Sequence, residues 1–220
     1  MKRILLFAIV ALILLSSCGS ISSFESPNEF RNIDGVLFLR NGKSFKGRLL
    51  INTRSPFGRP VKIYAEEDSK PMQFNLDEVK GYRVRNNYYE LKEVKGGLRL
   101  GKEFSFMRRL TPEVSRIHLY EYLKKVTDNE KGYTAIKTQY DNEYYMQLPK
   151  EESLAVYYLG SSKFVPNFDE KMSRLLSDCP DLAQKIAAKE NGYFYAQISL
   201  SQERKADVLL KIIEEYNNCK

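Results

Sequence analysis

Turn-forming dipeptides interrupt the middle of this chain at short intervals, and this pattern restricts the fold more than any other feature of the sequence. Asn41-Gly42 separates the apolar run Val36–Leu39 from an alternating run that begins at Ser44. Asn-Gly between two such runs is a strong signal for a β-hairpin, because both central residues need a positive φ angle. Asn86-Asn87 and Gly96-Gly97 repeat the arrangement. We therefore expect antiparallel strands joined by short turns.

The same pattern continues well past the middle of the chain. A further hairpin turn is predicted at Asp141-Asn142, between runs at Tyr133–Tyr140 and Tyr144–Leu148. Leu154–Leu159 adds a last strand. Residues 31–160 are thus expected to form an antiparallel β-rich domain, arranged as a sandwich, an open barrel or a curled sheet.

After Gly160 the apolar residues recur at helical spacing. Pro180 is suited to the first position of a helix, and Ser201 is suited to capping another. Residues 161–220 are therefore predicted to form a short three-helix C-terminal segment, which makes the fold α+β. The predicted apolar stripes are Phe168, Met172, Leu175 and Leu176; Leu182 and Ile186; and Val208, Leu209, Ile212, Ile213 and Tyr216.

Composition excludes several classes of protein. The chain has 220 residues, a length that fits one ordinary domain or two small ones. Its formal net charge is +7. The apolar content excludes a polytopic membrane protein. One His and three Cys exclude most metal and thiol-relay enzymes that are built from their usual ligands.

The N-terminus has the layout of a secretory signal. Met1-Lys2-Arg3 is basic, Ile4–Leu15 is apolar and too short to span a bilayer, and small residues follow it. Leu15-Ser16-Ser17-Cys18 resembles the lipobox of bacterial lipoproteins. The resemblance implies a signal peptide over residues 1–17, diacylglycerol on the Cys18 thiol, and a fatty acid such as palmitate on the new amine.

The same resemblance implies a cellular location. Gly19, where an Asp would act as a retention signal, implies transfer to the outer membrane, on a face that the sequence leaves open. A membrane is then a partner through the N-terminal lipid, and nucleic acid is not expected as a partner. The Ser-rich stretch with Pro27 predicts a flexible tether over residues 18–30.

With Cys18 lipidated, Cys179 and Cys219 remain. An exported protein experiences an oxidising compartment, where two remaining thiols most simply pair. We therefore predict a disulfide bond between the end of the first helix and the end of the third. Two free buried thiols are the alternative.

Beyond the tether the chain resembles an uncharacterised exported family that is associated with Bacteroidota. The residues that carry the resemblance are Asp34-Gly35, Asp77–Tyr82, Leu176–Leu182 and Tyr216–Cys219. The resemblance implies a β-rich front and a helical back. It implies no reaction, and it assigns no catalytic residue.

No pattern in the sequence predicts a catalytic centre, a metal site or a cofactor. His118 alternates with Tyr120 and Tyr122 and has no marked partner that would make it a general base. Glu66-Glu67-Asp68 lacks the spaced oxygen ligands and the Gly of a calcium loop. Asp77-Glu78 are adjacent, so a strand would point them to opposite faces, unlike the facing carboxylates of a glycosidase.

Tyrosine is the unusual component, with 15 Tyr, 12 Phe and no Trp. In adjacent pairs one ring is expected to face the core and the other the solvent. Exposed Tyr beside Arg or Lys can bind partner proteins or glycans, although Tyr also simply suits half-buried strands. The candidate binding surface is Tyr88, Tyr89, Tyr144 and Tyr145, and the neighbouring basic group is Arg83, Arg85, Arg99, Lys102, Arg108 and Arg109.

These observations favour an outer-membrane-anchored lipoprotein that acts as a non-catalytic interaction or structural module of the cell envelope, with an envelope protein as partner. The alternative is a lipoprotein that binds a small ligand or a glycan in a cavity of the β-rich domain. A hydrolase with a site assembled from distant residues is the third hypothesis. It would require a carboxyl or hydroxyl group with a perturbed pKa in a cleft.

Overall fold

The computed structural model describes residues 23–53, 60–65, 70–95, 104–127, 138–149, 154–195 and 202–219. These residues form strands and three helices, as the sequence predicts. The strands are β1 (Ser23–Ser26), β2 (Glu29–Leu39), β3 (Ser44–Asn52), β4 (Val61–Tyr64), β5 (Met72–Phe74), β6 (Val79–Val84), β7 (Asn87–Lys95), β8 (Phe104–Arg109), β9 (His118–Thr127), β10 (Thr138–Gln147) and β11 (Ala155–Tyr158). The helices are α1 (Phe168–Leu175), α2 (Pro180–Ala187) and α3 (Gln202–Asn218).

The described strands belong to one curled sheet. Its order is β11-β10-β9-β8-β7-β6-β2-β3-β4-β5, with β1 paired to β2. Neighbours along this path are antiparallel. The hairpin predicted at Asn41-Gly42 is present between β2 and β3, but its loop has three residues, Arg40 to Gly42, and of the two predicted turn residues only Gly42 has a positive φ, of 85°.

The last five strands close into a ring. The first half of β7 pairs with β6, from Asn87 to Glu90. Its end pairs in parallel with β11, where Ala155 is opposite Glu93 and Val156 is opposite Val94. Because β11 also pairs with β10, the strands β7 to β11 form a closed circuit. Of the three predicted arrangements, the structure is therefore a curled sheet whose second half closes on itself.

Strands β7 and β8 form a wall that two cores share. Side chains alternate across a strand, so neighbouring residues enter different cores. Tyr89 and Leu91 pack in a core that also contains Phe30, Leu37 and Leu49, which we call the front core, whereas Val94 packs inside the ring. On β8, Phe106 enters the front core and Met107 enters the ring. The two halves of the sheet are therefore joined by buried side chains on both faces of this wall.

A third core lies between the outer face of the ring and the helices. It joins Leu119 of β9 and Met146 of β10 to the apolar stripes of the three helices, so the helical segment is packed against the sheet. The predicted stripes are confirmed, with Leu175 and Val208 at their margins. The fully or nearly buried members on the helices are Phe168, Met172, Leu176, Leu182, Ile186, Leu209, Ile212, Ile213 and Tyr216.

The predicted disulfide is present in the structure. Cys179 and Cys219 are joined, with 5.9 Å between their Cα atoms. Cys179 directly precedes α2, whose first residue is Pro180, and Cys219 directly follows α3. The bond therefore connects the start of α2 to the end of α3.

A single asparagine side chain makes hydrogen bonds to the backbone of β8. Asn28, in the turn between β1 and β2, is 2% exposed. Its side-chain amide accepts a hydrogen bond from the Phe106 N–H at 2.7 Å and donates one to the Phe106 carbonyl at 3.2 Å. Strand β9 pairs with β8 only at Arg108 and Arg109 among the described residues. The amide thus supplies the two hydrogen bonds that a neighbouring strand would give at Phe106.

Residues 23–30 form β1, a turn and the start of β2 rather than a flexible tether, which corrects the predicted boundary at residue 30. Phe30 is 1% exposed in the front core, and its ring centroid lies 5.2 Å from that of Tyr82. Phe24 stacks on Phe30 at 5.4 Å. Burial of Phe30, with the partly exposed Phe24 ring stacked on it, outweighs the turn-forming tendency of the surrounding Ser and Pro residues. The predicted signal peptide, Cys18 and the start of the tether lie outside the described residues.

The predicted hairpin at Asp141-Asn142 is wrong, because β10 continues through both residues. Asp141 is opposite Lys124 and Asn142 is opposite Leu123 in an unbroken ladder with β9. Turn propensity is local, and strand pairing along a long neighbour overrides it. The runs predicted before Thr138 and the turn at Gly96-Gly97 lie outside the described residues.

Candidate functional site

Charged side chains form a buried cluster inside the ring. Lys92, whose side chain is 1% exposed, lies 2.8 Å from a carboxylate oxygen of Glu90 and donates to Gln147 at 3.0 Å. The other Glu90 oxygen accepts from the Tyr120 hydroxyl at 3.1 Å and from Arg109 at 3.4 Å. Alternation brings these residues together, because Glu90, Lys92, Arg109, Tyr120 and Gln147 all point toward one side of their strands.

The cluster satisfies its own donors and acceptors. Burial lowers the pKa of the Lys92 ammonium, and the facing Glu90 carboxylate opposes that shift. The Lys92 ammonium also lies 4.7 Å from the centroid of the Tyr120 ring. A buried polar network whose members are paired in this way holds its strands in a defined arrangement. We interpret the cluster as the polar core of the ring.

His118 lies at the edge of this cluster, at the start of β9. It faces the same side as Tyr120, with ring centroids 6.1 Å apart, as alternation predicts. Its Nδ1 atom is 3.1 Å from the Thr111 hydroxyl. Burial lowers the pKa of the imidazole; nearby Glu90 opposes the shift and Arg109 reinforces it.

The stability of the fold is therefore expected to depend on pH through this one histidine. The pKa of His118 is below 6.5 in the folded protein. Between that pKa and 6.5, the unfolded chain therefore binds more protons than the folded chain. The free energy of unfolding should decrease as pH falls below about 6.5, until the folded pKa is passed. The measurement is urea unfolding at several pH values between 7 and 5, together with an NMR titration of the single imidazole.

His118→Gln provides the control, because it removes the only histidine of the chain. We expect the decrease of stability between pH 7 and 6 to disappear in this variant. An imidazole in the folded protein that titrates above its value in urea would contradict the prediction.

Three of the four tyrosines proposed as a binding surface are buried. Tyr89 is 8% exposed in the front core, Tyr144 is 4% exposed against the helices, and Tyr145 is 7% exposed inside the ring. Both members of the pair Tyr144-Tyr145 are covered because β10 has the helices on one face and the ring interior on the other. This corrects the expectation of one exposed ring per pair. Tyr88 alone remains partly accessible.

Tyr88 belongs to a row of cationic and aromatic side chains that crosses the sheet. Strand register aligns Lys46, Val36, Arg83 and Tyr88 on four successive strands. The Arg109 guanidinium lies 4.6 Å from the centroid of the Tyr88 ring. The row runs across the outer surface of the sheet, opposite the front core.

A second aromatic ring supports the row. Phe38 contacts Tyr88 edge to face, with centroids 5.7 Å apart, and the Arg83 guanidinium lies 5.6 Å from the Phe38 ring. Gly81 permits this approach, because a Cβ atom there would lie 2.9 Å from the Tyr88 hydroxyl. We call the outward surface formed by Phe38, Lys46, Arg48, Lys62, Arg83 and Tyr88 the front face.

The front face is positively charged. Lys46 and Arg83 are exposed, and Arg48 and Lys62 point outward beside them on β3 and β4. Asp34, opposite Arg48, adds one carboxylate to this surface. Cations spaced by strand register around half-buried aromatic rings can bind an extended acidic surface.

Only part of the basic group predicted from the sequence lies on this face. Arg83 does, and Arg109 borders it through Tyr88. Arg108 points away and pairs with Glu121 at 2.7 Å, while Arg99 and Lys102 lie outside the described residues. Lys46 and Phe38 were not predicted, because a two-residue turn at Asn41-Gly42 would have placed Lys46 opposite Leu37, whereas the observed register places it opposite Val36.

The acidic candidates do not form a metal site in the described part of the chain. Asp77 and Glu78 are exposed, and a Glu78 carboxylate oxygen accepts a hydrogen bond from the Asn75 N–H at 2.8 Å, within one turn. Glu66-Glu67-Asp68 lies outside the described residues. Across the described ranges, His, Cys, Asp and Glu side chains form no group of three that is arranged to hold a metal ion.

Comparison with known proteins gives no family for this chain. It matches no family model, no curated protein and no solved structure. None of the helices in the described ranges combines the length and the apolar character needed to cross a membrane. The front face is therefore the candidate functional site on geometry alone.

Proposed function

We propose that this protein is a lipid-anchored, non-catalytic interaction module of the outer membrane, and that its front face binds an acidic partner protein of the envelope. The lipobox Leu15-Ser16-Ser17-Cys18 supports the anchor. The disulfide between Cys179 and Cys219 fits an oxidising compartment.

The observation that carries the proposal is the row of Lys46, Arg83 and Tyr88 at strand spacing, with Phe38 beside it. Arg and Tyr are enriched in interfaces because each combines a large contact area with specific polar groups. An acidic partner would gain ion pairs here while covering the aromatic edges.

An acidic glycan is the second candidate, and Tyr88 is the observation that favours it. Arg83 is opposite Tyr88 in the strand register, so a sugar ring against the accessible part of Tyr88 would have an arginine beside it for its anionic group. A glycan would require fewer of the cations on β3 and β4 than a protein surface would.

The experiment that tests the proposal is co-purification from intact cells. Tagged, lipidated protein is cross-linked, the membranes are solubilised, and recovered proteins are identified. We expect one recurrent envelope protein with wild type, and about tenfold less of it with Lys46→Glu plus Arg83→Glu, because like charges across an interface are repulsive. Lys43→Glu plus Lys211→Glu changes the charge equally at exposed sites elsewhere and should recover the partner normally.

Equal recovery by both double variants would contradict a role for the front face. Recovery of this protein alone from wild type would favour the glycan, and an array of acidic glycans with the same variants would then test it. Cys18→Ser should move the protein out of the membrane fraction. Unchanged fractionation of that variant would contradict the lipid anchor while leaving the binding result interpretable.

A further inference from the structure

Phe24 on β1 is an aromatic side chain that the fold leaves exposed. It is 42% exposed, and in the described ranges Val114 is the only other exposed residue with a large apolar side chain. The Phe24 ring stacks on the buried ring of Phe30, with 5.4 Å between centroids and 25° between planes. The stack holds the Phe24 ring in place and leaves the rest of it available for a contact outside the chain.

The proposed lipid anchor is close to this ring along the chain. The tether predicted from the sequence, residues 18–30, would let the domain move about 45 Å from the lipid. Because β1 begins at Ser23, only residues 18–22 remain between the sheet and the end of the chain that carries the lipid. This stretch spans no more than about 18 Å even when fully extended. A lipid on Cys18 would therefore keep Phe24 next to the membrane surface.

The exposed surface around Phe24 fits a bilayer better than it fits a second protein. A stable protein interface buries about 800 Å² on each partner, and a single ring offers much less. The exposed charges beside it, Glu25 and Arg31, have opposite signs, so they do not select an anionic partner. A bilayer that already holds the lipid requires far less contact area, because the anchor supplies most of the affinity.

We propose that Phe24 inserts into the interfacial region of the bilayer that holds the lipid, so that β1 is the membrane-facing edge of the domain. This inference rests on the proposed lipid anchor. Apolar side chains such as Phe lie at the boundary between headgroups and acyl chains when a protein is bound at a membrane surface.

Docking through β1 also limits where the front face can be. Ser23 is opposite Arg31 on β2, and Val36 of the row that crosses the front face lies five residues further along that strand. The row is therefore within about 40 Å of Cys18. The partner proposed for the front face would then bind close to the membrane.

The test uses tryptophan fluorescence, because the chain contains no Trp. Phe24→Trp introduces one fluorophore at β1. Val114→Trp is the control at the other exposed apolar residue, in the loop that contacts Asn217 of α3 through Ser115. Each lipidated full chain is reconstituted into phosphatidylcholine vesicles, with or without brominated acyl chains, which quench tryptophan on contact. We expect brominated lipids to quench about half of the emission of Phe24→Trp and less than about a tenth of that of Val114→Trp.

The anchor is measured separately from the docking, by flotation of the protein with the vesicles and by a mass that includes lipid on Cys18. If the anchored protein shows no quenching at position 24, or equal quenching at both positions, the docking proposal is wrong and the anchor stands. A protein that carries no lipid and stays in solution would refute the anchor and the docking together. Thermal melting checks that both variants fold as the wild type does.

Discussion

Replacing Asn28 by alanine should lower the free energy of unfolding by about 3 kcal/mol, because it leaves a buried N–H and a buried carbonyl of Phe106 without partners. The variant also loses the 3.0 Å hydrogen bond that the Thr53 hydroxyl donates to the Asn28 side chain. A buried polar group left unpaired costs more than the hydrogen bond contributes. Urea unfolding, followed by far-UV circular dichroism, measures the change.

Asn28→Asp keeps one of the two hydrogen bonds to Phe106 and removes the other. Its carboxylate can still accept from the Phe106 N–H, but it cannot donate to the carbonyl, which would face a negative charge. We expect a loss at least as large as that of the alanine variant. Asn75→Ala, at an exposed asparagine, is the control and should change stability by less than about 0.5 kcal/mol. If Asn28→Ala were as stable as wild type, the Phe106 backbone would not depend on this side chain, and the prediction would be wrong.

Removing the disulfide should have the other large effect. Cys179 and Cys219 are 40 residues apart in sequence. In the chain-entropy model, a cross-link of that span stabilises the fold by about 4 kcal/mol. Cys179→Ala plus Cys219→Ala in a Cys18→Ser background should therefore unfold at a markedly lower urea concentration. Dithiothreitol should lower wild-type stability to the same level and leave the double variant unchanged.

We expect α3 to stay in place after reduction because Leu209, Ile212 and Ile213 are buried against the sheet, and Arg116 adds contacts at the end of the helix. Its guanidinium lies 3.9 Å from the centroid of the Tyr216 ring, and it donates to the Tyr216 carbonyl at 3.1 Å and to Asp178 at 2.6 Å. The reduced protein should thus remain folded, though less stable. Two thiols that react in denaturant without reductant would contradict the bond itself.

The local elements were the predictable part of this fold. The Asn41-Gly42 hairpin and the helix that begins at Pro180 depend on residues next to one another, and both are present. The parallel pairing of β7 with β11 could not be predicted in this way. It joins Val94 to Val156 across a long stretch of chain. The sequence of neither segment indicates which strand it pairs with.

The candidate site was only partly predictable, for a related reason. Exposure of a tyrosine depends on what covers both faces of its strand, and helices that cover Tyr144 lie far along the chain. Alternation alone assigned His118 and Tyr120 to one side of β9, and that assignment is confirmed. It could not reveal that Lys46, Arg83 and Tyr88 lie in one row, because that row depends on the register of four strands.

The measurement that tests the proposed function most directly is site-specific photo-cross-linking in intact cells. A photoreactive phenylalanine analogue is placed at Phe38 on the front face, or at exposed Gln184 on α2. The account predicts one discrete adduct from position 38, absent when Lys46→Glu and Arg83→Glu are added. An adduct from position 184 alone, or an adduct from position 38 that survives the charge reversal, would contradict binding through the front face.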